Sequence, residues 1–300
     1  METEDVEFSG AGVRLSATIT VPGAASAWPG IVLIGGSGPS DRHNDGFFDL
    51  LRDHLVNAGV AVLAYDKRGA GRSSGDWATA TVDDLAADAA AAVAALQARL
   101  QGTPGTVGVL GHSEGGWVAL RLCARLATPR HLIINSCPAV SFAESEAYAL
   151  TRAGAEPDRA ATLIAQLTAA VQAGLEYQEG QRILATYEHE PWYPALAADG
   201  FRLDAAVWSQ LGAWGHYDPG PDLDQLTTPT LAIFGGDDPL VPVQASVARL
   251  RETAERAARL QQTTVFPGAG HRLQAGASPA PGYLACLATW SREPRVRPGR

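Results

Sequence analysis

The sequence predicts an α/β fold: a mostly parallel, doubly wound sheet with a helical cap inserted into it. Three observations carry this. Short apolar runs without strict alternation recur between helix-like stretches, as expected of strands covered on both faces. The runs close on glycine-rich or polar turns, and residues able to do chemistry gather there. Between Pro138 and Pro221 the rhythm breaks, and helical stretches follow one another without a convincing strand. The expected division is a core from residues 1–137 and 222–300 and a cap from 138–221.

The elements follow in order. Residues 5–21 alternate apolar and polar side chains around Gly10–Gly12, an edge hairpin stopped by Pro22. Gly30–Ile34 is a buried strand running into the polar turn 35–42, and a helix with Phe47, Leu50, Leu51, Leu55 and Val56 on its apolar positions ends at Gly59. Val60–Tyr65 is the next buried strand, closing on Asp66-Lys67-Arg68-Gly69. Thr81, with Asp83 and Asp84 in the first turn, caps an alanine-rich helix. A strand at 106–110, a helix at 117–126 and a strand at 131–135 come next. The cap contributes helices at 143–153, 157–174, 176–189 and 200–211. Its aromatic residues Tyr187, Trp192, Tyr193, Trp208, Trp214 and Tyr217 anchor it on the core or line an apolar substrate pocket. The core resumes with a strand at 230–234, a helix at 243–260, a strand at 263–266 and a closing helix near 280–291; an Arg/Pro-rich tail starts at Glu293.

Composition excludes several function classes. A net charge of −9 and a pI near 5.2 argue against nucleic acid or an anionic membrane as partner. Hydrophobic content of 46% against 18% charged residues suits a globular chain with a large core. Cys123, Cys137 and Cys286 are odd in number and widely spaced, fitting small core residues of a reducing compartment and neither a disulfide frame nor a zinc site. The acidic start Met1–Glu7 has no apolar h-region, so the expectation is a cytoplasmic protein, and no run reaches the length of a membrane span. Neither a metal nor an organic cofactor is expected.

The organising stretch is Gly108-Val109-Leu110-Gly111-His112-Ser113-Glu114-Gly115-Gly116. A G-x-S-x-G pattern between a buried strand and a helix is the context of a nucleophile elbow. The turn is so sharp that residues on both sides of the serine must lack side chains. A serine nucleophile needs a base to take its proton and a carboxylate to orient that base. Downstream, Asp237 and Asp238 follow one strand and His271 follows the next, in the order Ser, acid, His. Pro239 biases Asp238 towards an extended conformation, which favours it over Asp237 without deciding the matter. The other histidines fit less well: His54 lies within a helix, His112 precedes the serine with its side chain turned away, His131 opens a strand, and His189 and His216 belong to the cap. His43 is the rival near the 35–38 loop. Two backbone amides, those of Ser37 and Glu114, are placed to form an oxyanion hole.

With these residues in view the chain resembles the serine α/β-hydrolases, and more narrowly bacterial carboxylesterases related to the catalytic domains of acyl-CoA thioesterases and bile-acid-CoA:amino-acid acyltransferases. The resemblance rests on residues 35–42, 65–73, 111–116, 217–219, 235–242 and 268–271, and covers about 8–135 and 215–290. It implies an α/β-hydrolase fold and places the acid on Asp238 through the pattern G-x-x-D-x-x-V-P. The serine at 113, in place of an aspartate, speaks against epoxide hydrolase and haloalkane dehalogenase chemistry. The expected partner is a small-molecule ester or thioester, with water or another acceptor releasing the acyl group. From another class, the same scaffold serves as a ligand-binding protein.

Overall fold

The computed structural model describes residues 1–23, 28–101, 106–126, 129–194, 203–257 and 261–294. Its main sheet has eight strands: β1 (Glu2–Ser9), β2 (Arg14–Val21), β3 (Gly30–Ile34), β4 (Ala61–Tyr65), β5 (Val107–His112), β6 (Leu132–Asn135), β7 (Thr230–Gly235) and β8 (Gln261–Phe266). Their spatial order is β1-β2-β4-β3-β5-β6-β7-β8. The β1–β2 hairpin is antiparallel and joins β4 antiparallel, whereas every pair from β4 through β8 is parallel. Six strands therefore end on one edge, where the loops carrying Ser37, Ser113, Asp238 and His271 emerge.

Burial follows the two-residue period of a strand. On β3, Val32 and Ile34 face one apolar cluster and Ile31 and Leu33 the other. The first face is covered by α2 (Val82–Arg99), α3 (Glu114–Arg125), the short α8 (Gly220–Gln225) and α9 (Val243–Arg256). The opposite face is covered by α1 (Phe47–Asn57) and α10 (Tyr283–Arg292). The Thr81 cap has the expected form: its side chain receives the Asp84 amide while Asp84 accepts from the Thr81 amide.

Between β6 and β7 lie α4 (Phe142–Arg152), α5 (Pro157–Gln172), α6 (Tyr177–Ala185) and α7 (Ala205–Trp214). They enclose an apolar cluster of their own that includes Leu163, Leu167, Leu184, Tyr187, Trp192 and Trp208. Five of the six aromatic residues singled out in the sequence are buried, with Tyr193 alone half-buried. Trp214 and Tyr217 leave the inserted helices' cluster and pack on Trp117 of α3, with ring centroids 6.1 and 5.3 Å away. Packing thus accounts for these aromatics better than pocket lining does.

Boundaries differ from expectation where a cap intervenes. The helix expected at 200–211 starts, within the described residues, at Ala205, where the Asp204 carboxylate receives the amides of Ala206 and Val207; residues 200–202 lie outside the described residues. Helix α10 starts at Tyr283, after Gly282 with φ 85°. Helix α3 begins at Glu114, three residues before the expected start, taking Gly115 and Gly116 into its first turn. Helix α9 ends at Arg256, and 258–260 of the expected helix lie outside the described residues. A two-residue ladder pairing β9 (Gln274–Ala275) with β10 (Ser278–Pro279) was not expected.

His131, just before β6, is fully buried, and neither ring nitrogen has a hydrogen-bond partner. Burial, then the nearby Arg130 charge, pushes its pKa down to about 3. Below about pH 6.5 the unfolded chain takes up a proton there that the folded chain refuses, so stability falls as pH drops, by up to about 1.4 kcal/mol per pH unit for this one group. His131→Phe removes that proton, and the slope of thermal midpoint against pH from 7 to 4 becomes shallower than in the wild type; an unchanged slope refutes this account.

Candidate active site

Strand β5 delivers Ser113 into a sharp turn. Its φ of 55° and ψ of −127° lie where residues with a Cβ are strained. The surrounding backbone holds that strain: the Ser113 amide donates to the Asn135 carbonyl at 3.0 Å, and the Ser113 carbonyl receives the Gly116 amide at 2.9 Å. The glycines are required by close approach. A Cβ on Gly111 would lie 2.1 Å from the Gly115 carbonyl oxygen, and one on Gly115 would lie 2.3 Å from that of Ile34. The same absence of side chains lets the β3 loop reach the serine, since a Cβ on Gly36 would sit 3.4 Å from that of Ser113.

Asp238 and His271 come from the next loops. The Asp238 carboxylate is fully buried and 2.9 Å from His271 Nδ1 through Oδ2, while Oδ1 accepts the Leu240 and Val241 amides at 2.8 and 3.1 Å. Asp237 is exposed. Of the two neighbouring acids, Asp238 is the one that meets the imidazole. The His271 loop is stitched to the loop that follows β7. Its Phe266 and Ala269 carbonyls accept the Gly236 and Asp237 amides, and Ala269 and Leu273 are fully buried. Gly235 permits this contact, because a Cβ there would lie 2.3 Å from the Ala269 and Gly270 oxygens.

His112 departs from the expected orientation, for it stays at the site. Its ring lies 4.9 Å from the His271 ring and 4.8 Å from Phe47, so it forms a wall under the imidazole. Burial, then the His271 charge, holds its pKa well below the ordinary histidine value, and it packs as a neutral ring. Through this contact the residue preceding Ser113 sits directly beside His271. His43 instead lies exposed against Asp49, with Nδ1 2.9 Å from Oδ1.

Sequence reasoning missed a polar cluster behind Ser113. Lys67, after β4, is buried, and its ammonium donates to the Gly36 carbonyl and to Glu114 Oε1, the latter at 2.9 Å. Glu114 Oε2 accepts from Gln210 Nε2 of α7 at 2.9 Å. Glu146 on α4 is half-buried, and burial, then the Glu114 charge, pushes its pKa up to about 7. Tyr148 on the same helix donates to the Asp238 carbonyl at 3.4 Å. The available signal was that Lys67 is the chain's sole lysine, placed at a strand's carboxyl end.

Residues 42–275 match the family described as Serine aminopeptidase, S33. The chain belongs to this family of α/β-hydrolases. It is 30% identical over 226 residues to a non-heme haloperoxidase of Rhodococcus erythropolis, an alignment covering 72% of this chain and 77% of that one. In fold it is similar to an esterase of Pyrococcus furiosus, with a TM-score of 0.67 and 17% identity over 98% of this chain and 92% of that one. It is also similar to Est1E of Butyrivibrio proteoclasticus, solved with ferulic acid bound, at TM-score 0.58 and 18% identity over 96% of each chain. The sheet order and the elbow after β5 are thus the scaffold of an α/β-hydrolase. Among the described residues no group of His, Cys, Asp and Glu is arranged to hold a metal ion, and no helix is long and apolar enough to cross a membrane.

The close approach at the elbow gives a stability test. Gly115→Ala forces a methyl onto the Ile34 and Gly35 carbonyls and is expected to cost about 1–3 kcal/mol, several degrees of thermal midpoint. Gly23→Ala, where a Cβ meets nothing within 4 Å among the described residues, is expected to leave the midpoint within about 1 °C. Equal midpoints for the two variants refute the packing argument.

Proposed function

We propose that the protein hydrolyses a carboxylic ester through an acyl-serine intermediate on Ser113. The observation that carries this reading is the buried Asp238 carboxylate on His271 Nδ1, at the sheet edge where the strained Ser113 turn emerges. With Nδ1 committed to Asp238, Nε2 is the nitrogen left to act as base. In this reading Ser113 Oγ attacks the ester carbonyl and His271 takes its proton. The resulting oxyanion is held by the Ser37 and Glu114 amides. The carbon–oxygen bond then breaks, and the alcohol leaves with the proton from His271. Water, deprotonated by the same imidazole, attacks the acyl-serine, releases the carboxylic acid and restores the Ser113 hydroxyl. The inserted helices form the cap over this edge.

A second reading follows from the relative of 30% identity, named a haloperoxidase. Hydrogen peroxide can replace water as acceptor of the same acyl group, giving a peracid that oxidises halide. A thiol ester donor or an amine acceptor would likewise use the same serine, so the family alone does not choose among them.

One panel separates these. Nitrophenyl acetate and butyrate, a thioester, and acetate with hydrogen peroxide and bromide are run on wild type, Ser113→Ala and Asp238→Asn. The expected result is turnover of the nitrophenyl esters without an added acceptor. Ser113→Ala should lower kcat by about four orders of magnitude or more, and Asp238→Asn by about 10⁴-fold. Fluorophosphonate should label the wild type and not Ser113→Ala. Turnover of all donors only with peroxide would favour the second reading, and an unlabelled wild type would favour a binding protein.

A further inference from the structure

Lys67 does not belong to the proposed Ser–His–Asp set, yet it is buried and paired with Glu114, the residue after Ser113. Its ammonium holds the Gly36 carbonyl and the Glu114 carboxylate together, and Glu114 in turn holds Gln210 of the inserted α7. The held carbonyl belongs to the peptide unit whose N–H is that of Ser37. A peptide unit is planar and trans, so its C=O and N–H point in opposite directions. Fixing the Gly36 oxygen on Lys67 therefore fixes the Ser37 N–H to point away from Lys67. The Lys67 amide also donates to the Ser40 carbonyl at 3.0 Å, fixing the far side of the loop. Gly35, Gly36 and Gly38 surround the peptide, and Gly38 has φ 73°, so no side chain of these residues fixes its orientation. The partner carboxylate is on Glu114, the residue whose amide is the second proposed oxyanion donor. One buried ion pair thus spans the two segments that must converge on a single oxygen.

We propose that Lys67 is the positioning residue of the oxyanion hole: it locks the Gly36–Ser37 peptide in the orientation that presents the Ser37 amide to the reacting carbonyl, and Glu114 with Gln210 holds the ammonium in place. This rests on the ester-hydrolase reading above. Without the lock, substrate still binds, because the ground-state carbonyl asks little of the hole. The tetrahedral oxyanion then lacks one aligned donor, which typically lowers the rate by about 10²–10³-fold. Removing the ammonium alone also leaves the Glu114 carboxylate unpaired beside a site where negative charge develops. Two variants separate the effects: Lys67→Met leaves that charge, whereas Lys67→Met with Glu114→Gln removes it and keeps the side-chain shapes.

The experiment measures kcat and KM for nitrophenyl butyrate, and the affinity of a trifluoromethyl ketone, whose adduct on Ser113 places an oxyanion in the hole. Both variants are expected to keep KM within about threefold. Both should lose at least about 100-fold in kcat and a comparable factor in ketone affinity. If the double variant regains the wild-type kcat, charge balance and not peptide orientation was the role of Lys67, and the proposal is overturned. It is equally overturned if ketone affinity is unchanged, if KM rises by the same factor as kcat/KM falls, or if neither variant folds by circular dichroism. The wild type is assayed and labelled with fluorophosphonate alongside. An active wild type with indifferent variants sinks only the Lys67 role, whereas a wild type neither active nor labelled sinks the hydrolase reading with it.

Discussion

The turn at Ser113 is the constraint around which the site is arranged. A β-strand and a helix meet there through a residue at φ 55°, ψ −127°, a conformation that a serine adopts only when its surroundings leave no alternative. Those surroundings are mostly backbone. The Gly115 position lies against the carbonyls of Ile34 and Gly35, Gly116 against Cys137, and Gly36 against Ser113 itself. The central part of the sheet is thereby packed to backbone contact at its carboxyl edge. The elbow, the β3 loop and the end of β6 are thereby in direct contact.

The segment after β4 distributes the remaining order. Asp66 accepts from the Arg42 backbone and guanidinium at 2.8–2.9 Å and from the Arg72 amide at 2.9 Å, fastening the far end of the β3 loop. Lys67 fastens the near end at Gly36. Arg68 reaches the other way, to Asp88 of α2 at 2.7 Å. Three consecutive charged residues thus hold three different segments. Each partner is buried with its ion, which suits a role in fixing geometry more than a gain in stability, since burying such pairs costs solvation.

What was legible in the sequence was local. The Thr81 capping box needs residues three apart, the elbow needs glycines within five positions, and the strands announce themselves by unbroken apolar runs. Asp238 and His271 were legible because a parallel sheet sends successive strand ends to one edge. The polar cluster was not. Lys67 meets a carbonyl 31 positions away and a carboxylate 47 away, and Gln210 meets Glu114 across 96 positions, separations with no periodicity to read. His112 was misjudged for a related reason. Its neighbour Ser113 departs from strand geometry, so alternation no longer says on which side the preceding ring lies, and the ring settles between Phe47 and His271.

The inserted helices touch the site through polar atoms as well as through shape. Gln210 of α7 bonds Glu114, and Tyr148 of α4 bonds the Asp238 carbonyl, so one inserted helix meets the elbow and another the acid loop. Glu146, also on α4, is near enough to feel the Glu114 charge. Burial and that charge both favour the protonated form of Glu146. Gln210 reaches the carboxylate that Lys67 also holds, so a displacement of α7 would be transmitted through Glu114 to Lys67 and the Gly36 carbonyl. The inserted helices and the turn at Ser113 are thus joined at Glu114.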